Sequence, residues 1–169
     1  MAKHREEKTN AMRILDRNHI PYTPFFYEEA ESPMETREYG VHIARSLGQD
    51  PARCFKTLAA RGASGGVCVF AIPVSENLDL KKAARAAGEK SVELLPVKEI
   101  LPVTGYVRGG CSVVGMKKRY PTFFHDSAAQ YDAIWISAGK IGAQMEADPK
   151  DLIRLLDAQT ANLTVSEDD

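Results

Sequence analysis

Helical spacing and strand-like alternation of apolar residues trade places along the chain, and each change marks an element. Thr9 stands where a side-chain cap opens a helix, Met12, Leu15 and His19 follow along one face, and Pro21 ends it. Residues 21–27 are extended and aromatic. Tyr39, Ile43, Ala44 and Leu47 line a second helix stopped by Gly48. Residues 55–61 and 67–72 read as two strands around a glycine-rich loop at 62–66. Residues 79–87 form a short basic helix closed by Gly88, residues 92–95 a short strand, and residues 97–101 at most one turn of helix between prolines.

The second half keeps this texture. Residues 121–125 predict a strand, and the near-continuous apolar run 133–137 predicts a strand at a sheet centre. Residues 137–140 then turn the chain into 141–146, and Asp148-Pro149 opens a closing helix whose apolar face is Leu152, Leu155 and Leu156. Short loops between strands favour antiparallel pairing. The fold class is therefore mixed α/β (α+β): a curved, mostly antiparallel mixed sheet, or a barrel, surrounded by short helices. Residues 1–169 read as one domain, with loose ends at 1–8 and 163–169.

Composition narrows the function. Twenty-two basic against twenty-three acidic residues give a net charge of −1, which excludes a global polycation for coating nucleic acid. A hydrophobic share of 44% supports a core without disulfides or structural metal. Cys54, Cys68 and Cys111 are odd in number and far apart, with no C-x-x-C pair, which points to a reducing compartment. His4, His19, His42 and His125 form no metal-binding spacing. The polar, acid-containing start is unlike a signal peptide, and no run reaches the ~20 apolar residues of a membrane span. These features together predict a cytoplasmic protein without metal, cofactor or membrane partner.

Common catalytic signatures are missing. There is no G-x-S-x-G, no phosphate-binding P-loop and no dinucleotide fingerprint. Cys54 and Cys68 sit in strand-like segments and read as buried structural thiols. His42 follows Glu38 by four residues and His125 adjoins Asp126; each pair reads either as a base oriented by an acid or as plain surface solvation.

Three features remain. Lys56, in Phe55-Lys56-Thr57, is either an edge-strand guard against aggregation or a cation projecting into a cavity toward a phosphate or hydroxyl. In Gly105-Tyr106-Val107-Arg108-Gly109-Gly110-Cys111-Ser112, the paired glycines let backbone amides approach a carbonyl oxygen or anion. No acidic residue lies between Glu99 and Asp126, so Arg108, Lys117, Lys118 and Arg119 form a local positive strip suited to a phosphate backbone. A plain glycine loop with a solvated basic end fits the same residues. The third feature, Ser137-Ala138-Gly139-Lys140, ends the most apolar strand and is either a pocket wall or an ordinary turn.

At these residues the chain resembles the YbaK/EbsC and prolyl-tRNA synthetase editing-domain superfamily of aminoacyl-tRNA deacylases. Phe55-Lys56-Thr57-Leu58, the Gly105 to Ser112 stretch, Gly115-Met116-Lys117-Lys118 and Ser137-Ala138-Gly139-Lys140-Ile141-Gly142 follow the family order, and the resemblance runs from about Thr9 to Asp157. Val113 replaces the usual proline and Ile141 the usual arginine, while Gln144 stands where some relatives carry an acid.

The resemblance implies an enzyme that edits in trans. It would clear Cys-tRNA(Pro), and also Cys-tRNA(Cys), by attack of the substrate's own thiol, without cofactor or metal. Lys56 and the amides of Gly109 and Gly110 would then be catalytic. Tyr27, Phe55, Thr57, Cys111, Ser112, Ser137 and Gly139 would hold the aminoacyl group. Arg108, Lys117, Lys118, Arg119 and Lys140 would meet tRNA, and prolyl-tRNA synthetase would be the protein partner. The alternatives are a deacylase for Ala- or Ser-tRNA, and a non-catalytic module that binds tRNA or a synthetase.

Overall fold

The computed structural model describes residues 7–28 and 36–166, with only the backbone of 36–39. Among these residues five helices surround two open sheets. The smaller sheet has the order β1 (Tyr22–Phe26), β7 (Ala143–Ala147), β6 (Ile134–Lys140), with both pairings antiparallel. The larger runs β4 (Val92–Leu94), β2 (Phe55–Gly62), β3 (Val67–Pro73), β5 (Thr122–His125), β8 (Gln159–Ala161). Its β2–β3 and β2–β4 pairs are antiparallel, whereas β3–β5 and β5–β8 are parallel. The mixed, mostly antiparallel expectation holds, divided between two sheets and without closure into a barrel.

Local chemistry explains most element ends. Helix α1 (Asn10–Arg17) is capped by the Thr9 hydroxyl, which accepts from the Met12 amide at 3.2 Å. It stops before His19, which is exposed at φ 57° and so lies off the helix face; this left-handed residue, not Pro21, turns the chain. Helix α2 (Thr36–Ser46) ends at Gly48, whose φ of 70° lets the Gln49 amide return to the Ala44 carbonyl at 2.8 Å. Asp79 caps α3 (Leu80–Ala87) and Asp148 caps α5 (Pro149–Leu156).

Three expectations fail. Helix α4 (Val97–Thr104) runs through Pro102 and ends only at Gly105, whose φ of 84° closes the last turn with its amide on the Leu101 carbonyl at 2.8 Å. The apolar run at 133–137 is no sheet centre: β6 is the edge of the smaller sheet, tied to the larger by a parallel bridge between Trp135 and Cys54. That strand continues through Ser137 to Lys140 as a bulge, so the turn comes at residues 141–142.

The carboxyl-terminal segment is also better anchored than its acidity suggested. Leu163 is buried, its amide donates to His125 Nδ1 at 3.1 Å, and its carbonyl accepts from Asp79 at 2.8 Å. Residues 1–6 and 167–169 lie outside the described residues.

The main core lies on the inward face of the smaller sheet, where Ile134, Ile136, Ala143, Met145 and Ala147 meet Met12 and Leu15 of α1 and Phe55, Val69 and Phe124 of the larger sheet. Strand alternation then puts Trp135, Ser137 and Gln144 on the opposite face. That outward face forms one wall of the site.

Candidate active site

The start of β2, the outward face of the smaller sheet and the glycine loop meet around one cleft with a cavity volume of about 110 Å³. That is roughly the room of three or four waters, enough for a small aminoacyl group. Phe55, Lys56 and Thr57 line it from β2, Ser137 and Gln144 from the smaller sheet, and Tyr27 from the segment after β1. Gly109 and Cys111 close one side, while Gly40 and Ile43 of α2, with Val74, supply the apolar cover. A Cβ at Gly40 would stand 2.9 Å from the Val74 side chain, so a glycine there lets the helix approach the strand end.

The polar side chains of the cleft are the Lys56 ammonium, the hydroxyls of Tyr27, Thr57 and Ser137, the Cys111 thiol and the Gln144 carboxamide. Lys56 brings the cation, and no carboxylate is among the described residues that line the cleft. The Thr57 hydroxyl oxygen is buried without a hydrogen-bond partner in the protein, an orphan that a bound ligand would satisfy. Ser137 pairs directly with Gln144 across the sheet, and the Ser137 hydroxyl accepts from the Gly139 amide at 3.1 Å. The Gln144 Oε1 accepts from Gln49 Nε2 at 3.0 Å, and Gln49 Oε1 accepts from the Cys54 thiol at 3.2 Å.

Cys111 is the only thiol in the cleft lining. Burial pushes its pKa up to about 11, so it stays protonated near neutrality and is a poor nucleophile. Cys54, pushed by burial to about 12, and Cys68, to about 11, are buried thiols of the same inert kind.

The two loop glycines have separate jobs. Gly109 lines the cleft at φ 88°, a conformation that favours glycine. The Gly110 amide instead donates to the Val107 carbonyl at 3.0 Å and is engaged within the loop. A Cβ on Gly110 would come within 3.0 Å of the Ile141 backbone nitrogen and 3.1 Å of Lys140 backbone atoms. Gly110 is where the loop presses on the β6–β7 turn.

Ser112 and Gly139 lie outside the lining. Ser112 is buried, and its hydroxyl accepts from the Val114 amide at 3.2 Å. Gly139 makes room for Tyr106, whose ring carbon would be 2.9 Å from a Cβ there. The Tyr106 hydroxyl in turn donates to the Val114 carbonyl, so the ring braces the glycine loop.

The basic residues divide as well. Arg108 lines a neighbouring cavity of about 260 Å³ with Leu58, Leu94, Val97 and Ile100; this cavity shares Thr57, Gly109 and Cys111 with the cleft. Lys117 and Arg119 reach helix ends: Lys117 Nζ donates to the Pro102 carbonyl at 3.4 Å and Arg119 to the Leu155 carbonyl at 3.3 Å. Lys118 and Arg119 border a third cavity, lined also by Ile14, Tyr120 and Leu156. Lys140 lies at the β6 end, outside the cleft lining.

Neither His42 nor His125 is among the described residues that line the cleft. His125 accepts the Leu163 amide, and His42 is exposed, while the Glu38 side chain lies outside the described residues. Gly40, Ile43, Val74 and the Gln49 link to Gln144 were not foreseen. A lone glycine inside a helical pattern at Gly40 was the available hint of close packing.

Comparison with known proteins fits this geometry. Residues 36–155 match the family model described as the aminoacyl-tRNA editing domain. The chain belongs to the aminoacyl-tRNA editing domain family. Within it, a curated relative from Enterococcus faecalis, named as a Cys-tRNA(Pro)/Cys-tRNA(Cys) deacylase, EbsC, is 42% identical over 168 residues, covering 99% of this chain and 100% of the relative. A crystal structure described as a trans-editing enzyme for prolyl tRNA synthetase superposes with a TM-score of 0.76 at 25% identity, covering 95% of this chain and 100% of that one. The hypothetical protein APE2540 shares the fold, with a TM-score of 0.78 at 21% identity over 90% of this chain and 97% of its own. The overall fold that carries the cleft is therefore shared with both structures. Among the described residues no helix is long and apolar enough to cross a membrane.

Proposed function

We propose that this editing domain deacylates Cys-tRNA(Pro), and Cys-tRNA(Cys) as well, acting in trans in the cytoplasm. The observation that carries the reading is a small cleft that holds the Lys56 cation and whose own thiol, Cys111, is buried and kept protonated, so the protein offers no thiolate nucleophile there. A prolyl site rejects cysteine weakly, because small apolar differences yield only ~1–3 kcal/mol of discrimination, and a second pocket is then needed.

In the proposed reaction the cysteinyl thiol gives its proton to solvent, and its sulfur attacks the ester carbonyl. A carbon–sulfur bond forms, the carbon–oxygen ester bond breaks, and the ribose oxygen of tRNA takes up a proton as it leaves. Water then opens the cyclic thioester. Lys56 holds the terminal ribose or its phosphate, and the Gly109 amide faces the carbonyl oxygen as charge develops on it. Tyr27, Phe55, Thr57, Cys111 and Ser137 shape the niche that folds the aminoacyl group for attack. A free thiol with a pKa of ~8.5 needs far less activation than a hydroxyl.

Arg108 lies beside the cleft, where it would meet the acceptor end; Lys117, Lys118, Arg119 and Lys140 would contact tRNA farther out. A net charge of −1 gives the chain little general attraction for tRNA, which favours prolyl-tRNA synthetase as the partner that delivers the substrate. The test is single-turnover deacylation of tRNA(Pro) charged with cysteine, S-methylcysteine, serine or alanine. Cysteine should be cleaved at least ~100-fold faster than the others. Equal rates for cysteine and S-methylcysteine would reject self-attack in favour of water.

A further inference from the structure

We infer that Gln49, which does not touch the cleft, is a positioning residue that makes Gln144 a hydrogen-bond donor to the sulfur of the bound cysteinyl group. The inference rests on the deacylase reading above and adds to it the group that reads the side chain.

The carboxamide of Gln144 has an accepting end and a donating end, and its environment selects which one the ligand meets. Gln49 Nε2 donates to Gln144 Oε1 at 3.0 Å, so the accepting end is occupied. The Gln144 Nε2 group has no protein partner among the described residues and is the end left for the cavity that Gln144 lines.

Gln49 is itself fixed. Its side chain belongs to a residue only 7% exposed, its backbone amide is bonded to Ala44, and its Oε1 receives the Cys54 thiol at 3.2 Å. The thiol is a better partner for that oxygen than for an amide hydrogen, because sulfur accepts weakly. Burial keeps the Cys54 proton in place. The chain Cys54–Gln49–Gln144 thus runs in one direction, from a buried thiol through a buried amide to the cleft.

The direction matters because of what surrounds it. Together with the Lys56 ammonium and the orphaned Thr57 hydroxyl, a Gln144 donor faces a cleft that has no carboxylate among its described lining residues. Such a lining favours an anion and offers little to a second cation. A thiolate gains from every donor placed on it, whereas the methyl of an alanyl group gains nothing and a serine hydroxyl stays neutral. Gln144 stands beside Ser137 and Phe25 on the outward face of the smaller sheet, so its carboxamide is carried on the central strand and not on a mobile loop.

The test compares wild type, Gln49→Met, Gln144→Ala and the double variant by the pH dependence of kcat, at saturating Cys-tRNA(Pro). Methionine keeps the volume of Gln49 but cannot hold Gln144 Oε1. Gln49→Met should lower kcat at neutral pH roughly tenfold and move the apparent pKa of the kcat profile, which reports the bound state, upward as the thiolate loses a donor. The effect should fall on kcat with KM for tRNA little changed. In the Gln144→Ala background the Gln49 substitution should have no further effect.

Should Gln49→Met leave the profile in place, or lower activity equally with and without Gln144, the positioning role is wrong. If it fails to fold, Gln144→Glu carries the test: an accepting carboxylate at the same place should shift the profile further upward, and an unchanged profile would overturn the inference. Wild-type cleavage of S-methylcysteinyl-tRNA separates the two levels. If wild type cleaves it as fast as Cys-tRNA, the self-attack reading fails and this inference falls with it. If wild type discriminates but the Gln49 and Gln144 variants keep its pH profile, only this inference fails.

Discussion

Lys56 and the Lys117–Arg119 strip are alike in sequence: basic side chains within motifs that invite a phosphate, in a chain whose overall charge is nearly balanced. Their settings differ. Lys56 lies at the first turn-in of a central strand and lines the cleft with Gly109, Ser137 and Gln144. Lys117 and Arg119 lie outside that lining and donate to carbonyls in the last turns of α4 and α5. A cation at a helix C-terminus satisfies carbonyls that the helix leaves unpaired and complements its dipole. A local excess of positive charge therefore has two readings, and only the position of each side chain separates them.

The sharpest way to break this contrast is Lys56→Ala. Deacylation of Cys-tRNA(Pro) should fall by at least ~100-fold, while the melting temperature moves by no more than a few degrees. Retention of wild-type turnover would remove Lys56 from the reaction and leave it as an ordinary strand lysine.

How far sequence reaches depends on how far apart the deciding atoms are. The β2–β3 hairpin, with Lys56 opposite Ile72, follows from alternation around a glycine loop. The α1, α3 and α5 starts follow from capping side chains within three residues of the amides they hold. Lys56, Gly109 and Ser137 were legible as pieces of motif.

What was not legible is long-range. The edge position of β6 depends on strand order, and the Gln49–Gln144 bond joins residues 95 apart in the chain. Gly110, Ser112 and Gly139 belong to the same motifs but lie outside the cleft lining. Their motif is real, but each serves the packing or turn geometry of the loop: Gly110 against the 140–141 backbone, Ser112 through the Val114 amide, Gly139 beneath Tyr106.

His125 extends the comparison to a group that changes charge. It is held as an acceptor for the Leu163 amide, a role that requires an unprotonated Nδ1. Burial lowers its pKa below the usual histidine range; Asp126 and Glu76 oppose the shift and Lys82 reinforces it. The folded chain thus binds the proton less readily than the unfolded chain. The stabilisation is present above the unfolded value of about 6.5 and is lost as pH falls through the lower folded value. The melting temperature should be flat from pH 8 to 7 and then decline toward pH 5, and His125→Gln should flatten that decline. A decline as steep in the variant as in wild type would place the titrating group elsewhere.

The smallest effect bears most directly on the opening contrast. Arg119→Ala removes a donor from the Leu155 carbonyl at the end of α5. Its contribution is that of an exposed cation at a helix terminus, so the melting temperature should fall by about 1–3 °C. Lys117→Ala, with a longer contact to Pro102, should cost less. If these cations serve only the helix ends, kcat/KM on Cys-tRNA(Pro) and its salt dependence stay at wild-type values. If they also guide tRNA, the loss appears in KM, grows as salt is lowered, and flattens the dependence of log KM on log salt by about one for each phosphate contact removed. That outcome would assign the strip two roles, with Arg119 bridging helix and substrate, while kcat would still belong to the cleft around Lys56.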